Sequence, residues 1–523
     1  MRRGVRMDRR GIACPLVGAH LLATALFLTA CGGDYTFVVE PPHGEPSFIA
    51  ATYDITAAYG DLFFPEFPAT GLSLDMTLEI DPNSLGDPSG SLSGTVRIVE
   101  ATVGGLPRAF DPVTPIPISG RLAGDQIDLL PFGPVTVGST YLFPDLTGIL
   151  APDGRRMDGL ARLGNLPDEG TWLGIKQRRY LIAGSDYSIF GAASVVTVRY
   201  GTRFIVDGDV EATSGDPVAA VSRGRPLVVN RLSFDNIQVL DPARRFLTSI
   251  QFSTGNGSNP HDALMVGSSK MYIPRYGPSF DDLLIADLSK DPVALVGSID
   301  LAPYATNVSG TPRPDRLVET NGLVMVTLQN IDTTFFDYGP GRAVFVDPRT
   351  DSVVKAITLE GQNPMGPPSI HPVNGDIYLA DAGIFQGTRP RELTGGIEVI
   401  DPISLTTRGI LVDDDALGGN VSGVAVTSER RGYAVVVTET GKNMLVAFDP
   451  VTGADLGTIL LTPAYIPEIR SDGDGYLLVA EYDISDPRLR IIDGATGGTI
   501  ARLSLPRPPA SMAILTRDLI VAE

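Results

Sequence analysis

The sequence predicts an all-β protein: a small antiparallel β-barrel or half-barrel followed by a seven-bladed β-propeller. Three observations carry this. Short apolar runs are broken throughout by Gly, Pro, Asn and Asp, with 58 glycines and 42 prolines in 523 residues. Residues 47–179 alternate strand-like runs with turns. The last two-thirds of the chain repeats a unit of about 50 residues. A chain of this length also exceeds one ordinary domain, so at least two are expected.

The N-terminus reads as an address. Residues 1–10 carry five arginines, 11–28 are apolar apart from Pro15 and His20, and Leu28-Thr29-Ala30-Cys31 has the form of a lipobox. The apolar run is too short and too interrupted to be a comfortable membrane span. Residues 1–30 are therefore expected to leave as a signal peptide, with Cys31 as the lipidated residue. Residues 31–46, with Pro41, Pro42 and Pro46, read as a tether. Gly32 follows the cysteine where an aspartate would retain the protein. The resemblance to sorted lipoproteins implies an outer-membrane anchor facing the periplasm or the cell surface. Cys14 is the only other cysteine and departs with the signal, so no disulfide is expected. The net charge of −20 becomes −24 once five arginines and Asp8 are removed. Such a body repels nucleic acid and anionic headgroups. Membrane contact then runs through the acyl chains, and nucleic acid is excluded as a partner.

Within 47–179, strands are expected at 48–59, 72–80, 90–100, 116–122, 126–130, 146–150, 157–163 and 171–177. The alternation is clearest in Leu72-Ser73-Leu74-Asp75-Met76-Thr77-Leu78-Glu79-Ile80. Seven or eight antiparallel strands of this length suit a small barrel, similar in rhythm to lipocalin-like barrels. Trp172, the single tryptophan, is expected in its core, with ligand stacking as the other possible role.

From about residue 180 a β-branched run ending in aspartate recurs, at Asp241, Asp287, Asp347, Asp401, Asp449 and Asp493. The spacings of 46, 60, 54, 48 and 44 residues fit a four-stranded blade with variable loops. In Asp449-Pro450-Val451-Thr452-Gly453 the aspartate opens a turn. In Asn374-Gly375-Asp376-Ile377-Tyr378-Leu379-Ala380 and Asp474-Gly475-Tyr476-Leu477-Leu478-Val479-Ala480 a tight turn leads into a strand. These pieces resemble the YVTN-type (surface-layer) β-propeller repeat. The resemblance implies a propeller with binding roles and brings no catalytic residues.

Inner hairpins fall near 218–230, 262–275, 315–329, 368–381, 422–439, 467–481 and 510–523, which makes seven blades in 180–523. The last hairpin needs two partners, and strands within about 194–207 are expected to complete its blade and close the ring.

The loops joining strands four to one and two to three share one face of a propeller, and here they are long: 302–313, 329–342, 381–396, 411–420 and 481–488. Variable loops on a rigid scaffold favour binding. In and beside them lie Tyr276, Phe280, Phe335, Phe336, Tyr338, Arg342, Phe385, Arg389, Arg391, Tyr465 and Tyr482, residue types enriched at protein contacts. They either bind a partner or pack the loops down. The second strands end in polar residues: Asn230, Arg275, Gln329, Asp381, Glu439, Glu481 and Glu523. These either cap their own turns or form a collar for a cation or a hydroxyl-rich ligand.

Catalytic signatures are sparse. After the signal, histidine occurs only at 43, 261 and 371, too dispersed for a zinc or copper site. His261 is expected to begin an inner strand and to face the channel. Asp413-Asp414-Asp415 and Asp472-Gly473-Asp474 are acidic enough to attract calcium but lack the twelve-residue EF-hand spacing, and read as solvated turns. No metal or cofactor is expected. Two functions compete. One is a binding or scaffold lipoprotein for an envelope protein or glycan; the other is a propeller hydrolase, lactonase or lyase working at the channel mouth of the long-loop face.

Overall fold

The computed structural model describes residues 52–59, 72–80, 90–111, 114–123, 125–129, 135–137, 140–142, 144–151, 156–163, 169–385 and 391–515. The expectations for the signal, Cys31 and the tether lie outside these residues.

Eight long strands, with four short ones beside them, are described in the first unit, and the eight are Thr52–Tyr59, Leu72–Ile80, Ser91–Val103, Ile116–Ala123, Gln126–Leu129, Pro144–Leu150, Arg156–Leu163 and Glu169–Lys176. Each pairs antiparallel with the next, and the last returns to the first, with Tyr53 opposite Lys176 and Ala57 opposite Trp172. It is a closed up-and-down barrel. Alternation decides which side is buried. Leu72, Leu74, Met76, Leu78 and Ile80 point inward while the residues between them are half-buried or exposed. The interior is filled rather than hollow, with Tyr53, Ile55, Met157 and Trp172 in one apolar cluster. The Trp172 indole N–H donates to the Thr147 carbonyl at 2.9 Å. A Cβ at Gly148 would lie 2.9 Å from that indole, so a side chain there is excluded by close packing.

Seven four-stranded sheets follow. Blades 1 to 6 are continuous in sequence, at 217–253, 264–300, 314–362, 364–413, 419–462 and 469–504. In each, the first strand is innermost. The seventh blade unites the two ends of the unit, and its make-up differs from the expected two-plus-two. Three strands come from the N-terminal side, Arg178–Gly184, Phe190–Arg199 and Arg203–Ser214, and one from the C-terminal side, Pro509–Ile514. Tyr180 lies opposite Ile514 and Leu181 opposite Ala513. Arg178–Gly184 therefore takes the place assigned to the second half of a C-terminal hairpin. It follows the barrel without a spacer, so its apolar run reads equally well as a last barrel strand. The closing blade packs on both neighbours. Ile182, Val196 and Val198 meet Leu478 and Ile491 of blade 6, and Leu181, Ala183 and Val195 meet Ala219 and Val228 of blade 1. Asp472, expected in a solvated turn, is buried and tied to this blade. It faces Arg178 at 3.3 Å and accepts the Tyr180 hydroxyl at 3.0 Å.

The repeated aspartate has a mechanical role. After the third strand of blades 1 to 6 its carboxylate accepts the backbone N–H two residues on, from Ala243, Ser289, Arg349, Ile403, Val451 and Ala495, at 2.8–3.0 Å. This Asx turn satisfies the N–H that the strand leaves unpaired and reverses the chain into the outermost strand. Asn321-Gly322 is a two-residue hairpin turn in blade 3, with φ of 49° and 74°. Asn374-Gly375 is not. The flanking strands stop at Ile370 and resume at Ile377, and the His371 ring accepts the N–H groups of Val373 and Asn374 inside a wider turn.

Candidate functional site

Innermost strands run from the long-loop face towards the tight-turn face, so the residues at their starts crowd the axis on the long-loop side. Charged side chains gather there. The Arg316 guanidinium lies among the carboxylates of Asp216, Asp262, Asp315 and Glu468, contributed by blades 1, 2, 3 and 6. Burial opposes its charge, but these four outweigh burial and hold it fully protonated. Its Nη1 donates to the His261 carbonyl at 3.2 Å. Arg231 pairs with Asp216, and Arg470 with Glu468.

His261 joins this cluster. Its Nδ1 is 2.7 Å from Asp315, its Nε2 is 3.3 Å from the Asn259 amide, and its ring stacks on Tyr276 with centroids 3.9 Å apart. Burial is the main cause that lowers its pKa to about 4. The neutral ring therefore donates from Nδ1 to Asp315 and accepts at Nε2, a tautomer assigned from these partners. Burial works against the Asp315 charge too, but Arg316 and the His261 hydrogen bond hold its pKa below the usual range. Gln329 completes the chain, accepting the Tyr276 hydroxyl at 2.8 Å and donating to Asp315 at 3.2 Å. The result is a buried charge cluster at the axis, a plug in which three guanidinium groups face four carboxylates.

The expected collar of second-strand ends does not assemble as a ring among the described residues. Only Gln329 reaches the axial cluster. Asn230 caps Ser214 and bonds Asn236 and Gln238, Arg275 forks onto Asp282 and lies over Phe280, and Glu481 is held by Arg490 and Arg502 within blade 6. Glu439 is exposed. Second strands lie one layer out from the axis, so their ends meet neighbouring strands rather than each other. Asp381 is buried beside the Glu398 carboxyl, and among the described residues no N–H donates to it. Burial and the neighbouring Glu398 carboxylate push its pKa well above the usual range. Asp414, nearby, is raised to about 6 by burial. Among the described residues no group of three or more His, Cys, Asp or Glu side chains is arranged to hold a metal ion. Arg389 and Glu523 lie outside the described residues.

Most of the expected loop aromatics pack inward. Phe335 and Tyr338 join Ile331 and Ile384 in a small cluster, Tyr276 is buried, and Arg342 is half-buried in the third strand of blade 3. Phe385 lies against Arg391, which bridges to Asn420 of blade 5. Phe336 is exposed. An exposed apolar patch does form on the long-loop face, from residues that the sequence reading passed over. Tyr187, Ile189 and Phe190 of blade 7, Leu232 of blade 1 and Ile484 of blade 6 are all exposed, in or beside the loops that join second and third strands. Tyr187 stacks on Tyr482 at 5.2 Å, and Phe190 meets Phe234 edge-on at 5.9 Å. The signal was hidden because 185–190 precedes the first recognisable repeat.

Below the plug the axis opens into a cavity of about 570 Å³, bounded by innermost-strand residues of all seven blades and reaching Arg223 and Glu319 beside the tight turns. This axial space thus extends towards the face opposite the long loops.

No protein-family model matches the chain, and no curated relative matches it. Among solved structures it is similar to a candidate 6-phosphogluconolactonase from Bacteroides fragilis, at 13% identity over 65% of this chain and 98% of that one, with a TM-score of 0.48. It is also similar to the periplasmic gluconolactonase of Pseudomonas aeruginosa, at 15% identity over 65% and 99% of the two chains, with a TM-score of 0.47. At such identities the likeness does not extend to this chain's chemistry.

Proposed function

We propose that this protein is a lipid-anchored binding module of the outer membrane whose long-loop propeller face docks an envelope protein. One observation carries the docking reading. Ile189, Phe190, Leu232 and Ile484 are 60–70% exposed in or beside the loops joining second and third strands of three neighbouring blades, and Tyr187 stacks on Tyr482 across two of those loops. Large apolar side chains clustered within a polar rim mark interaction surfaces. Arg231 with Asp216 and Arg507 with Asp209 supply charged pairs around them. The anchor rests on the lipobox at Leu28-Thr29-Ala30-Cys31.

The test is a crosslinking pulldown from intact cells with the full chain and a Phe190→Asp, Ile484→Asp variant. The variant should lose a specific protein crosslink at least tenfold, as expected when central anchors of an interface are charged. An unchanged crosslink pattern, or capture of glycan alone, would sink the protein-docking reading. Cys31→Ser should leave the membrane fraction, and unchanged retention counts against the anchor. The enzymatic alternative, hydrolysis at the long-loop mouth, requires substrate to reach His261, which is 8% exposed with both ring nitrogens engaged. Lactone turnover that His261→Asn abolishes would favour it over docking.

A further inference from the structure

The geometry points to the axial cavity as a second binding site, one that takes a small monoanionic organic acid, with Arg470 as the carboxylate ligand. The site is independent of the docking face and lies at the other end of the axis.

The cavity, at about 570 Å³, falls within the range of roughly 300–1,000 Å³ usual for small-molecule sites. Asp262 and Arg470, which belong to the charge cluster around Arg316, line it on the long-loop side. Arg470 lines it, and its side chain is 28% exposed there. Among the described residues only its Nε donates a hydrogen bond, to Glu468 at 2.6 Å, which leaves the outer edge of the guanidinium for a ligand. Glu468 is itself fixed, accepting from the Ser511 hydroxyl at 2.9 Å and the Met512 N–H at 3.2 Å. The guanidinium is therefore oriented before any ligand arrives, and a planar fork of this kind matches a carboxylate bidentately.

The remaining polar lining is rich in donors. Ser222, Ser369 and Ser471 each accept a backbone N–H, from Met265, Val426 and Gly473, which leaves their hydroxyl protons to donate. Asp262 is already an acceptor for the Ala263 and Leu317 N–H groups. Leu317, Ile370, Val424 and Ile469 add apolar wall for a short aliphatic body. The carboxylates of Glu468 and Asp262 offset part of the positive charge, which favours a monoanion over phosphate.

Isothermal titration of the full chain with lactate and 2-hydroxyisovalerate, with methyl lactate, glycerol and inorganic phosphate as comparators, tests the assignment. The acids should bind at millimolar concentration or below, and the uncharged comparators should not. Arg470→Met should weaken binding at least tenfold. Val424→Trp, which fills the cavity and leaves Arg470 in place, should block it and decides the matter if the arginine variant fails to fold. No heat with either acid at 10 mM, equal binding of methyl lactate, preference for phosphate, or binding unchanged in either folded variant would each overturn the assignment.

Discussion

Replacing Arg316 by methionine tests the axial plug most directly. The substitution keeps the stem and removes the charge. Arg231 and Arg470 keep their own carboxylates, Asp216 and Glu468, so the loss falls on Asp315 and Asp262. Asp315, with a side chain 4% exposed, would keep only the His261 and Gln329 donors. Breaking a buried pair from one side costs about 3–5 kcal/mol, because a desolvated charge is left behind. For a unit of roughly 340 residues unfolding with about 2 cal/mol/K per residue, that is a fall of about 4–7 °C in Tm. The deficit has a pH signature. Without Arg316 the Asp315 carboxyl rises above its unfolded value, so the deficit is complete at neutral pH and shrinks as pH falls. Calorimetric melts at pH 7.5 and 5 should show this, and Arg316→Met combined with Asp315→Asn should recover most of the loss. An Arg316→Met melt within about 1 °C of wild type at pH 7.5, or a double variant as unstable as the two singles added, would refute the plug.

Three further outcomes follow from the same geometry. His261 falls from an ordinary value near 6.5 to about 4 in the fold, so the stability it contributes is complete above pH 6.5 and is lost towards pH 4, about 3 kcal/mol in all. Denaturant titrations should find that His261→Asn flattens the profile in that window, and an unchanged slope contradicts the buried neutral ring. Asp381 is raised instead, so its carboxyl costs stability as pH rises above the unfolded value. Asp381→Asn should therefore melt higher than wild type at pH 7.5 and no higher at pH 4, and a lower melt at pH 7.5 would show that the charged form is accommodated. Trp172→Ala should destabilise the barrel by about 3–5 kcal/mol, read as loss of near-UV ellipticity at lower urea, because it empties the core and orphans the Thr147 carbonyl. A shift below about 1 kcal/mol would place the indole outside the core.

Much of the architecture is local, and local features are legible in sequence. Period-two alternation decided the barrel strands: all eight expected runs became strands, and their inward residues are the apolar ones. The recurring aspartates marked the blades because each performs one short-range task, accepting an N–H two residues on. His261 lies in the axial cluster three residues ahead of the innermost strand of its blade, Leu264–Met265.

What the chain alone left open depends on residues distant in sequence. Arg178–Gly184 reads equally as barrel or propeller until its ladder with Pro509–Ile514 is seen, more than 300 positions away. The expected collar failed because second strands stand a layer out from the axis, while the real charge cluster draws Asp216, Asp262, Asp315, Arg316 and Glu468 from four blades. The exposed patch likewise needs loops at 185–190, 231–235 and 482–487 to meet. Sequence by itself determined the strands, the repeat length and the acidic character of the chain, since these depend on composition and on neighbours within a few residues. Which charges neutralise one another, and where space remains along the axis, only ring closure decides, because burial and Coulomb energy depend on distance through space and not along the chain.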